Sequence, residues 1–234
     1  MMDYQTILGT SIKWSFIEAE LQQWFGNETK FGEGRRIEII GVGQGFMSVL
    51  GRLYPDWVNP DPLLPCSIII KISAINDQIT DYVGLDECYP QNDSEKKAAK
   101  EAFVKLLLKL HNSEVYFYKY AKKYSFCVPK TYFLCEADED GKPGIITMQD
   151  MKESAIIPIH KNMTLEQVRQ VLDALAEIHT VSIKDDSWKI YPKTSLKDTI
   201  TGENRSPEVS FSPYFMIENF KNLLSRKLTL AKST

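Results

Sequence analysis

The sequence predicts an α+β fold, an antiparallel β-sheet with helices that passes into a mostly helical portion. Three observations predict it. Five short apolar runs and one long helical run follow the order strand, strand, strand, helix, strand, strand. The helical run, Glu95 to Tyr124, is rich in Lys, Ala, Glu and Leu. Beyond Lys152 a capping box and a helical apolar period replace the strand pattern.

The first element is a helix over Ser11 to Phe25, with Ile12, Phe16, Ile17, Leu21, Trp24 and Phe25 on one face and Gly26-Asn27 as its stop. Two strands follow, Ile37 to Ile40 and Phe46 to Tyr54, joined by Gly41-Val42-Gly43-Gln44-Gly45. A proline-rich turn, Pro55 to Pro65, leads to the third strand, Ser67 to Ile72. Ser73 to Ser94 is polar and aperiodic and reads as a long loop. Ser94 caps the long helix. Lys130 to Glu136 and Gly144 to Met148 then form a hairpin around the acidic turn Asp138-Glu139-Asp140-Gly141.

Thr164 and Gln167 form the capping box of the next helix, which runs to about His179 with Val168, Val171, Leu172, Leu175, Ala176 and Ile178 on its apolar side. Lys184 to Ser210 is polar. Ser212-Pro213 opens a last amphipathic helix, with proline at the first helical position. The change of character near Asp150 divides the chain into two expected parts, 1–150 and 151–234.

Composition narrows the function. With 28 basic and 31 acidic side chains the net charge is −3, so no bulk positive field exists to hold nucleic acid or an anionic membrane. The longest apolar run, Ser67 to Ile72, is far too short to span a bilayer, and no secretory signal is expected from the N-terminal residues. Cys66, Cys88, Cys127 and Cys135 have no paired spacing and read, ahead of metal or disulfide use, as reduced, half-buried thiols of a cytoplasmic protein. No G-x-S-x-G, H-E-x-x-H or Walker loop occurs.

The glycine loop has two familiar uses. A dinucleotide fingerprint would place its third glycine at position 46, which is Phe46, and would open a helix where this chain reads as strand. In kinase-type folds such a loop tips a hairpin over the nucleotide phosphates, where backbone N–H groups reach the oxygens. Gly43, Gly45 and Ser48 are the candidates. A hairpin that merely needs positive φ is the alternative.

Lys71 sits inside an isoleucine-rich strand and shares a face with Ile69. A buried ammonium is costly unless paired, although a lysine can also snorkel past a strand end. Glu114, in the aromatic stretch Val115-Tyr116-Phe117-Tyr118, is the acid whose surroundings ask for a partner; Glu101 reads as a solvated helix charge.

The strings Gly43 to Ser48, Ile69 to Ile72, His111 to Tyr118 and Leu172 to His179 resemble the ecdysteroid-kinase-like (CHK-type) proteins, relatives of choline and aminoglycoside kinases in the protein-kinase-like fold. The resemblance covers roughly residues 11–183. It implies a nucleotide-binding N-lobe over 1–150 and the start of a helical C-lobe over 151–234. It implies that Gly43, Gly45 and Ser48 line a phosphate loop, that Lys71 contacts ATP phosphates and that Glu114 orients Lys71. Backbone groups from Gln149 to Met151 would meet adenine. The implied activity is ATP-dependent phosphorylation of a sterol- or choline-like hydroxyl.

That reaction needs an H-G-D loop and a magnesium-binding aspartate. None of His111, His160 and His179 is followed two places on by aspartate. No catalytic or metal residue is therefore assigned, and Mg²⁺ is expected only with a catalytic half beyond this chain. The rival expectation is a non-catalytic, pseudokinase-type module binding nucleotide or protein. Helix faces such as Leu172/Leu175 and Phe220/Leu224, left without partners, would then favour association.

Overall fold

The computed structural model describes residues 6–26, 28–41, 48–73, 93–152 and 162–191. Gly43, Gly45, residues 74–92 of the expected loop and the helix expected from Ser212 lie outside them.

Helix α1 is Trp14–Phe25, followed by strands β1 (Arg36–Ile40), β2 (Ser48–Tyr54) and β3 (Ile68–Ser73). Helix α2 (Asp93–Ala121), strands β4 (Thr131–Cys135) and β5 (Ile145–Gln149), helix α3 (Leu165–Lys184) and a 3-10 turn (Asp186–Ile190) complete the order. The fold is α+β, and its five strands form one antiparallel sheet in the order β1-β2-β3-β5-β4. This is the arrangement expected of a protein-kinase-like N-lobe.

Strand β3 lies at the centre, and its alternation separates the two faces of the sheet. Ile68, Ile70 and Ile72 are fully buried against Ile17 and Leu21 of α1, with Leu53, Cys135 and Ile145 in the same core. Each such isoleucine contributes about 1.5–3 kcal/mol relative to exposure. An aromatic layer extends that core. Phe25 packs on Trp57 and Tyr132, and Phe31 packs on Trp57 and Trp14.

Two elements depart from the sequence reading. Helix α1 begins at Trp14, not Ser11, because Lys13 is extended and pairs with Thr6 in an isolated bridge. Ile12 is buried all the same, in the segment ahead of the helix. Helix α2 begins at Asp93, so Ser94, expected just ahead of the helix, lies inside it.

The chain divides into two compact units, Met1–Arg169 and Gln170–Thr234. The capping box at the start of α3 is present in both directions. Thr164 N donates to Gln167 Oε1 (2.8 Å) and Gln167 N donates to Thr164 Oγ1 (3.2 Å). No residue of α3 is buried among the described residues.

Candidate functional site

The second face of the sheet carries the charged groups. In β3 the residues between the buried isoleucines are Ile69 and Lys71, both half-buried. Lys71 stands opposite Leu50 of β2 and Ile146 of β5, so its stem lies among apolar neighbours on the central strand. Helix α2 packs on β3 and β4, and from it Glu114 accepts an ion-paired hydrogen bond from Lys71 Nζ through Oε2. The two side chains are 25% and 30% exposed. A pair this accessible keeps part of its hydration, which lowers the cost of holding it there, and still presents an ammonium to whatever approaches that face.

The turns of α2 around Glu114 are tied to the end of β4. His111, three residues before Glu114, is buried, and its Nε2 lies 3.0 Å from the carbonyl oxygen of Cys135. A carbonyl only accepts, so Nε2 is the protonated nitrogen. Burial holds the His111 pKa below the ordinary imidazole value, against a smaller upward pull from that hydrogen bond. Tyr118, one turn after Glu114, has its phenol pushed up to about 12 by burial and then by the Glu114 charge. Farther along, Glu136 accepts from Lys119 and from Tyr116 Oη (2.9 Å). The Lys119 bond, aided by Tyr116, holds the Glu136 carboxyl below its usual range despite burial.

A further ion pair lies near the exit of the sheet. Arg52 of β2 stands opposite Ile69 and therefore shares the Lys71 face. It holds Asp150 through Nε (2.7 Å) and Nη2 (3.3 Å), and Ser67 Oγ donates to the same carboxylate at 2.7 Å. Asp150 is thus a junction of β2, the start of β3 and the end of β5. Sequence reading assigned no role to its side chain and missed Arg52 and Ser67 altogether. Separations of 98 and 83 residues left no local signal for either contact.

Of the residues expected to form a site, the structure brings Lys71 and Glu114 into contact. Ser48 opens β2 opposite Ser73, two positions along the strand from the Leu50–Lys71 pair and on the same face by alternation. Gly43 and Gly45 are outside the described residues. Gly41, where the loop leaves β1, has φ +69°, the left-handed conformation that favours glycine. Gln149 is exposed, and its backbone N–H already donates to Lys130 O (2.7 Å), so its amide is committed to the β4 side. Met151 is 47% exposed.

Among the described residues no group of three or more His, Cys, Asp or Glu is placed to hold a metal ion. Among the same residues no helix is long and apolar enough to cross a membrane.

Fold and site together define an α+β protein whose central strand carries a half-buried, carboxylate-paired lysine. The chain belongs to the family described as DUF1679, Uncharacterized oxidoreductase dhs-27, whose model matches residues 3–203. It is similar to the uncharacterized oxidoreductase dhs-27 of Caenorhabditis elegans, 28% identical over 94 residues. That stretch is 40% of this chain and 12% of the relative. No solved structure matches the chain.

These findings correct the functional expectation. The family and the relative carry an oxidoreductase's name and neither carries a kinase's. The reading as part of an ATP-dependent phosphotransferase acting on a sterol- or choline-like hydroxyl is therefore withdrawn, and the pseudokinase-type alternative is not favoured by them either.

Proposed function

We propose that the Lys71 face of the sheet binds the phosphate of a nucleotide, with Lys71 donating to phosphate oxygens and Glu114 orienting Lys71. The observation that carries this reading is the pair itself: an ammonium on the central, isoleucine-rich strand, met by a carboxylate from a helix, with both ends open to solvent. A pair serving stability alone has no need of that position, since a well-packed apolar pair there would be at least as stabilising. An ammonium aimed from a rigid strand is a point charge suited to phosphate.

ATP is the nucleotide we expect, with Ser48 and the loop of Gly43 and Gly45 approaching its phosphates and the backbone of Gln149 to Met151 near its base. The committed amide of Gln149 leaves that last contact to the following residues. Kinship with the ecdysteroid-kinase-like proteins belongs to the same proposal, as likeness of fold and of the strings named above. The oxidoreductase name of the relative makes a pyridine dinucleotide phosphate the second probe, because it offers the same phosphate chemistry.

Thermal unfolding of the chain, with ATP, ATP plus Mg²⁺, or NADPH, tests the reading. Ligand at about a hundred times its Kd adds about 2.7 kcal/mol, roughly 5–10 °C in Tm for a chain of this size. Lys71→Met should remove that shift. Absence of a shift with every probe, or a shift that Lys71→Met leaves intact, would overturn the proposal; the identity of the effective probe distinguishes the two nucleotides.

A further inference from the structure

We propose that Asn112, with His111 beside it, is a positioning residue that sets the register of α2 against the sheet and thereby creates the Lys71–Glu114 contact. The consequence for ligand binding rests on the phosphate site proposed above, whereas the positional claim stands on geometry alone.

The Asn112 carboxamide makes two opposed hydrogen bonds to one backbone residue. Nδ2 donates to Ala137 O at 2.9 Å, and Ala137 N donates to Oδ1 at 2.9 Å. Ala137 is buried and lies just past β4, where the ladder to β5 has ended at Cys135. Asn112 therefore replaces the missing strand partner, and it satisfies both groups at once because its amide carries a donor and an acceptor side by side. Aspartate would keep only the acceptor, and serine would be too short to span both.

The grip is continuous over three residues. His111 takes Cys135, Tyr116 and Lys119 take Glu136, and Asn112 takes Ala137. Val115, on the same stretch, is fully buried. Glu114 lies on the same helical stretch. Sliding α2 by one residue would move it by 1.5 Å and turn it by about 100°, carrying Glu114 away from Lys71. The bonds to β4 prevent that slide, so the ion pair is set by the fold and does not depend on a swing of the helix.

A residue that merely satisfied Ala137 would stabilise the chain without affecting how Lys71 and Glu114 interact. Double-mutant cycles tell these roles apart. Urea unfolding of the wild type, Lys71→Met, Glu114→Gln and the double variant should give a coupling of roughly fivefold in the unfolding equilibrium constant. The same cycle on the Asn112→Ala background should show none. Should Asn112→Ala not fold, Asn112→Asp supplies the background, and the coupling should fall at least twofold.

Coupling that persists unchanged on either background, or is absent from the wild type, would overturn the proposal. No ligand enters these measurements, so their outcome and that of the nucleotide titration are independent.

Discussion

Replacing Gly144 by alanine is expected to destabilise the chain by about 2–4 kcal/mol, the sum of an overpacking cost and a lost buried hydrogen bond. A Cβ at position 144 would stand 2.1 Å from His111 Nε2 and 2.2 Å from its Cδ2. Neither side has room to yield. Gly144 is fixed to the end of β3, its N–H donating to Ser73 Oγ (2.7 Å) and its carbonyl accepting from Ser73 N (2.9 Å). The imidazole is buried and bound to Cys135 O, so moving it breaks the first of the bonds that tie α2 to β4.

Urea denaturation measures the loss as a fall in midpoint at unchanged m. Adding His111→Ala vacates the space the new methyl needs. The double variant should therefore be less destabilised than the sum of the two single changes. Strict additivity would show that the ring and the methyl do not collide.

The same neighbourhood shows what the sequence could reveal. The short isoleucine-rich run Ser67 to Ile72, placed after a proline-rich turn, made β3 legible, since such a run of β-branched residues is a buried strand. Lys71 stood out because a cation breaks that pattern, and Glu114 because a carboxylate among aromatic residues needs a partner. Each residue announced a requirement, and the structure matches the two requirements to each other.

Other features had no such signature. Asn112 follows His111 in a helical run and was given no role of its own; only the fold brings Ala137 beside it. Ile12 fitted the helical period yet precedes the helix, because periodicity reports burial and not the hydrogen bonds that define an end. Function lay furthest from reach. The structure shows Lys71 and Glu114 in contact, and a contact between two side chains does not by itself fix a ligand or a chemistry.

Arg52→Met is expected to destabilise the chain by about 2–3 kcal/mol at pH 7, and by progressively less as the pH falls below about 4. The Asp150 side chain is only 5% exposed. Burial alone would raise its pKa, but the hydrogen bond from Arg52, then that from Ser67, outweighs burial and holds the carboxyl below the ordinary value. A group with a depressed folded pKa contributes stability above its unfolded pKa, near 3.9, and loses it as the pH drops through the folded value.

Methionine keeps much of the aliphatic stem and removes the charge. Asp150 then retains Ser67 while burial prevails, so its carboxylate becomes a liability at neutral pH that protonation relieves in acid. The wild type loses its own advantage over the same range, and the two unfolding curves converge. Arg52→Met/Asp150→Leu, which removes both charges, should recover part of the loss at pH 7. Urea midpoints at pH 7 and at about pH 2.5 decide the matter: a gap of equal size at both would mean that Arg52 acts through packing of its stem and not through the carboxylate it holds.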